Sequence, residues 1–334
     1  MVELTTDWMG LRLASPLVVA ASPISRDPDA VAAAVDAGAG AVVMHSLFEE
    51  QLVHEQLAAH RYLDAHLDRD AESMGVARAA GQPRLDGEPY LEELTALTRR
   101  VSVPVLGSLN GTTPGGWVRY ARRLEDAGAA AIELNLYDVA TSPDESAAAI
   151  ERRQLDVVAR VVAEVRIPVT VKLSWFHASV PAFAKALEGA GARGVAVFNR
   201  FYQPDVNLDA LDVDRHLHLS TSAELPIRLH ALATLSPWTK LSLACTGGVH
   251  DGRDAAKALL SGAHVIQLAS ALLAHGPAHV GVVLRELSEW LDAGGYRSSA
   301  EARGVLDVSR APDPRAWTRL NYAMLLDGWR GSGR

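Results

Sequence analysis

The sequence predicts a single domain built as a (β/α)8 TIM barrel, and three observations carry that prediction. First, a helical pattern ends four times in Ala-Gly-Ala or Ser-Gly-Ala and passes into a short apolar, mostly β-branched run: Ala37 to Val43, Ala127 to Leu134, Ala190 to Phe198 and Ser261 to Leu268. Glycine suits the left-handed turn that stops a helix, and an unbroken apolar run suits a strand buried on both faces. Second, Pro104 and Pro168 each open a further strand-like segment, where the missing N–H forfeits no interior ladder bond. Third, the alternation yields eight candidate strands, the number that closes a parallel barrel.

In order, the predicted strands are 17–21, 40–45, 104–109, 130–136, 168–173, 194–199, 241–245 and 264–268, with helical patterns between most of them. Insertions at 46–90 and 200–222 follow strands two and six, and a C-terminal helical extension, 292–334, carries Trp317, Tyr322 and Trp329 on a helix-like segment. Long insertions after barrel strands shape a pocket. A doubly wound open sheet is the alternative arrangement of the same elements.

Composition narrows the function. The 334 residues are 49% apolar and 22% charged, with 32 basic and 40 acidic side chains giving a net charge of −8. That balance lacks the basic footprint of a nucleic-acid binder, and no apolar run approaches the roughly 20 residues that span a bilayer. One cysteine, Cys245, allows neither a disulfide framework nor a cysteine-rich metal site, and no histidine pair has metal-ligand spacing, so the expectation is a cytoplasmic protein without a metal.

Active sites of such barrels lie at the carboxyl ends of the strands. Three of the chain's five asparagines fall there, Asn110, Asn135 and Asn199. Their amides both donate and accept, which suits a flat heterocycle with alternating carbonyl and N–H groups; turn chemistry is the plainer explanation of any one of them. Lys172, one of only four lysines, is embedded in the fifth strand. It could hold negative charge on a ring cofactor or form a Schiff base with a carbonyl substrate. Thr246-Gly247-Gly248 and Ala269-Ser270 end the last two strands, the usual phosphate position in a barrel, although Gly-Gly also serves any tight turn. Ala21 and Ser22 leave room for a flat ring beside the first strand, and His45 and Ser46 end the second.

Read in order, these segments resemble the dihydroorotate dehydrogenase family of the class 1 type, and more narrowly its dihydroorotate dehydrogenase-like members lacking the catalytic cysteine. The likeness runs from Ser15-Pro16-Leu17 and Ala21-Ser22-Pro23 through Ser108-Leu109-Asn110-Gly111, Glu133-Leu134-Asn135-Leu136, Val171-Lys172-Leu173 and Phe198-Asn199-Arg200 to Thr246-Gly247-Gly248-Val249 and Gln267-Leu268-Ala269-Ser270-Ala271. The resemblance implies an FMN-dependent oxidoreductase of pyrimidine metabolism that oxidises a dihydropyrimidine or similar cyclic amide by hydride transfer to flavin N5. It implies FMN contacts from Ala21, Ser22, Asn110, Asn135, Lys172, Asn199 and Thr246, with Gly247, Gly248, Ala269 and Ser270 on the phosphate. His45, Ser46, Asn110, Asn199 and Arg200 are implied on the substrate, and Lys172 stabilises the reduced flavin. Where class 1 members carry Ser-Cys, this chain has Tyr137-Asp138, so those two are the candidates for proton transfer. The implied partners are a small-molecule substrate, an unidentified electron acceptor and a second copy in a homodimer. Two other readings of the residues stay open: a phosphate-binding Schiff-base aldolase using Lys172, and a non-catalytic flavin electron-relay subunit.

Overall fold

A computed structural model of the chain describes residues 2–48, 87–110, 114–137, 140–200, 205–214 and 217–328, with the side chains of 114–116 outside that description. Eight parallel strands close into a barrel: β3 (Leu17–Val19), β4 (Ala41–Phe48), β5 (Val105–Asn110), β6 (Ala131–Leu136), β7 (Val169–Leu173), β8 (Gly194–Val197), β11 (Ser242–Thr246) and β12 (Val265–Leu268), with β12 hydrogen-bonded back to β3. All eight fall on predicted segments, and the open-sheet alternative is excluded by the closure.

The helices around the barrel are α1 (Pro28–Asp36), α2 (Glu88–Arg100), α3 (Pro114–Asp126), α4 (Ala147–Glu164), α5 (Val180–Gly189), α6 (Leu225–Leu235), α7 (Gly252–Leu260), α8 (Ser270–His275) and α9 (His279–Ala293). Local chemistry sets their ends. Asp27 accepts from the amides of Asp29 and Ala30 ahead of Pro28, and Ser179 and Asp251 cap α5 and α7 in the same way. The recurring Ala-Gly-Ala phrase is the opposite signal: Gly38, Gly128, Gly191 and Gly262 all have φ between 92° and 119°, and each turns a helix into the next strand.

Leu17, Val19, Val42, Val105, Ile132, Val171, Val195 and Ile266 point outward under the helices and belong to the main core. Alternate residues point inward, where Val18, Val43, Leu106, Ala131, Ala196, Ala244 and Val265 form an apolar floor. An N-terminal hairpin, unannounced by the sequence pattern, closes that floor from below. Its strands, β1 (Thr6–Trp8) and β2 (Leu11–Leu13), are joined by Met9 and Gly10 at φ 59° and 86°, a two-residue turn whose twist matches the strands. Trp8 is fully buried against the floor, the Met9 amide donates to Ser242 Oγ at 2.9 Å, and Thr6 Oγ1 donates to the His264 carbonyl at 3.0 Å. A Cβ at Gly194 would stand 2.9 Å from Met9 Sδ, so glycine there lets the plug seat without displacing the Met9 side chain.

Several boundaries differ from expectation. Strand β4 continues to Phe48, so 46–48 belong to the barrel and not to an insertion; residues 49–86 lie outside the described residues. The second insertion contains an antiparallel hairpin, β9 (Asp205–Asn207) and β10 (Asp212–Asp214). The C-terminal extension is not one helical segment. Residue 292 still belongs to α9, α10 (Ser299–Ala302) follows, Trp317 ends a 3-10 turn, and Tyr322 lies on the separate helix α11 (Leu320–Gly328). Trp329 falls outside the described residues.

Candidate active site

The barrel register brings the predicted residues together. Asn110 pairs with Asn135, and Asn135 with Lys172, so the three stand side by side on adjacent strands at the carboxyl end. Around them opens a cavity of about 310 Å³. Ala21 and Ser22 line it from the first strand, His45 and Ser46 from the second, and Asn199 and Arg200 from the sixth. Thr246, Gly247, Ala269 and Ser270 close the far end. Phe198, Asn199 and Arg200 are shared with a second lobe of about 540 Å³ that is also walled by Trp175 and Ile227.

Two predicted residues stand apart. Gly248 lies one residue behind the lining, where its amide donates to Ser220 Oγ at 3.3 Å. Tyr137 follows β6 half-buried and does not line the cavity, while Asp138 lies outside the described residues. A larger hollow, about 810 Å³, is at the amino end beneath the plug, among Asp7, Met9, Arg166 and Lys240. None of the described buried polar atoms that lack a partner lines it, so we place the chemistry in the smaller cavity.

Beneath the cavity floor Lys172 joins a polar layer whose other members, Glu133 and Gln267, the sequence reading did not single out. Lys172 Nζ donates to Glu133 Oε1 at 2.6 Å, and Gln267 Nε2 donates to Glu133 Oε2 at 2.7 Å. All three side chains are buried. Glu133 precedes Asn135 by two, hence on the same inward face, and an acid within an apolar strand was the available signal. Above this layer Asn135 Nδ2 donates to Ser46 Oγ at 2.7 Å, and Ser46 Oγ lies 2.8 Å from Ser108 Oγ. Tyr90 fixes Ser108 from outside by accepting from its amide at 2.9 Å; burial pushes that phenol well above the usual tyrosine pKa.

Strand β4 shifts register between Val43 and Ser46, and this bulge turns Ser46 toward Asn135. His45 is consequently tied outward. Its amide donates to Ser25 Oγ at 2.6 Å, its ring packs edge-on to Tyr90 at 5.0 Å, and Nε2 is 3.8 Å from Glu93. Burial first, then the charge of Arg26, lowers its pKa to about 4. The imidazole therefore borders the cavity as a neutral group.

Among the described residues, four buried atoms at the cavity have no protein partner: Ser22 Oγ, Asn135 Oδ1, Asn199 Nδ2 and Arg200 Nε. Buried polar groups in folded proteins are almost always satisfied, so this concentration marks where a polar ligand belongs. At the far end Gly247 and Gly248 hold φ of 88° and 79°, and the Ser220 amide donates to Ser270 Oγ at 3.0 Å.

The dihydroorotate dehydrogenase family model matches residues 3–291. The chain belongs to the dihydroorotate dehydrogenase family. With that membership it is an oxidoreductase acting on a CH–CH bond. An Aeropyrum pernix protein assigned as a dihydroorotate dehydrogenase A (fumarate) is 32% identical over 219 residues, 63% of this chain and 70% of that one. The catalytic subunit of a dihydroorotate dehydrogenase B (NAD(+)) from Thermoplasma acidophilum is 24% identical over 317 residues, 91% of this chain and 99% of its own length. A Shouchella clausii catalytic subunit of the same description is 29% identical over 201 residues, 57% of this chain and 64% of that one.

Proposed function

We propose that the chain is an FMN-dependent oxidoreductase that oxidises a dihydropyrimidine or a similar cyclic amide. The observation that carries this reading is the convergence of Lys172, Asn110, Asn135 and Asn199 on one cavity that ends in the Thr246–Gly247 and Ala269–Ser270 turns. The unpartnered atoms of Ser22, Asn135 and Asn199 fit the amide-like edge of a flavin, and the glycine turn fits its phosphate. Bound FMN supplies a two-electron acceptor for hydride at N5.

The chain's own residues do the rest. Ala21 and Ser22 leave space for the ring, and Asn110 and Asn199 orient a cyclic amide against it. Ser46 fixes the Asn135 amide so that its oxygen faces the cavity. Arg200 and the neutral His45 border the substrate end, and Lys172 holds the positive charge that stabilises the electron-rich reduced ring, aimed by Glu133. Tyr137 or Asp138 is the candidate to take the substrate proton, because the two stand in sequence where class 1 members carry Ser-Cys. The contact of Lys172 with Glu133 also favours this reading over a Schiff-base aldolase, because an ion-paired ammonium has no lone pair with which to attack a carbonyl.

The same reading takes in a cytoplasmic enzyme that passes electrons to an external acceptor. Among the described residues no helix is long and apolar enough to cross a membrane. Pairing of two chains is part of the proposal, supported by the exposed apolar side chains of α11. The purified protein is expected to show flavin absorbance bands that bleach anaerobically with a reduced pyrimidine. A colourless protein that FMN does not reconstitute would overturn the reading.

A further inference from the structure

Arg228, on α6, lies behind the glycine turn and is 4% exposed. Its Nε donates to the Thr246 carbonyl at 2.6 Å and its Nη1 to the Glu224 carbonyl at 2.6 Å. Both acceptors are neutral. Among the described residues no carboxylate pairs with it: the Glu224 side chain is taken by Arg200 at 3.3 Å, and Asp254 is held by Lys257 at 2.9 Å and Ser222 at 2.5 Å. A guanidinium does not shed its proton to escape this position, and burying it with no counter-charge is costly.

The placement indicates what compensates the charge. A Cβ on Gly247 would lie 2.7 Å from Arg228 Nη2 and 3.0 Å from its Nε, so the guanidinium is packed directly against the turn. Thr246 and Gly247 also line the cavity, beside Ala269 and Ser270 at the end of the adjacent strand. Among the described residues Arg228 thus leaves the phosphate end with a positive charge that no paired carboxylate neutralises.

We propose that Arg228 supplies the charge complement of the flavin's phosphate monoester through the Gly247 turn, and so makes the site select phosphorylated over unphosphorylated flavin. It acts as a positioning residue, by its field and by bracing the turn. The proposal rests on the FMN reading above.

The test is to titrate the full-length, flavin-stripped protein separately with FMN and with riboflavin by fluorescence quenching. In Arg228→Gln the Kd for FMN is expected to rise by about tenfold or more, while that for riboflavin stays within about twofold of wild type. Arg228→Lys, which keeps the charge, is expected to retain most of the FMN preference and serves if the glutamine variant does not fold. Equal weakening of both flavins, an unchanged FMN affinity in Arg228→Gln, or loss of the preference in Arg228→Lys would overturn the proposal. A wild-type protein that binds neither flavin would defeat the cofactor reading, and this proposal with it.

Discussion

Lys172 and Glu133 are each other's counter-charge, Glu133 fully buried and Lys172 almost so at the edge of the cavity. Removing one partner of such a pair strands the other, whereas removing both leaves ordinary core. Glu133→Ala is therefore expected to lower stability by about 3–5 kcal/mol in urea unfolding, and Glu133→Ala with Lys172→Met to recover most of that loss. Without the cation, Lys172→Ala is expected to slow flavin reduction about 100-fold or more in stopped-flow absorbance. Wild-type reduction rates in that variant would remove the lysine from the mechanism. His45 offers a different readout. Its pKa in the folded protein, about 4, lies below the ordinary 6.5. The unfolded chain therefore takes up the proton first as pH falls. The stabilisation is whole above pH 6.5 and declines between 6.5 and 4, by up to about 3 kcal/mol. His45→Gln should flatten that part of the stability–pH curve; an unaltered slope would reassign it to other groups.

At the level of turns and strands, the Gly247–Gly248 corner is tightly constrained. A Cβ at Gly248 would sit 2.7 Å from the Leu225 amide nitrogen and 2.9 Å from its Cα, and main-chain atoms cannot swing aside. Added to the strain of φ 79°, Gly248→Ala is expected to cost about 1–3 kcal/mol in thermal unfolding and to reduce the flavin that copurifies. The strands themselves were legible, because a run such as Val265-Ile266-Gln267-Leu268 with glycine before it has few other homes. The bulge in β4 was not. Nothing in Met44-His45-Ser46 marks an extra residue, so His45 and Ser46 read alike although only Ser46 bonds Asn135. The β1–β2 hairpin escaped for another reason: three-residue strands are too short to show a period. The site was legible where residue type was unusual for its place, as with Lys172 and the three strand-end asparagines. Arg228 was hidden because it approaches from a helix, and helix position does not reveal which turn a long side chain will reach.

For the whole molecule, α11 presents Leu320, Tyr322, Leu325 and Leu326 at 47–69% exposure. A chain truncated after residue 318 is expected to shift from dimer to monomer in analytical ultracentrifugation; an unchanged sedimentation coefficient would move the contact elsewhere. The N-terminal plug has a consequence for how the protein is made. Its sockets are Ser242 and His264, and the Glu3 amide and carbonyl engage Arg297 and Ser299. The hairpin segment thus has no place to dock until residues almost 300 positions further along have been made, and seating of the plug becomes a late event in folding.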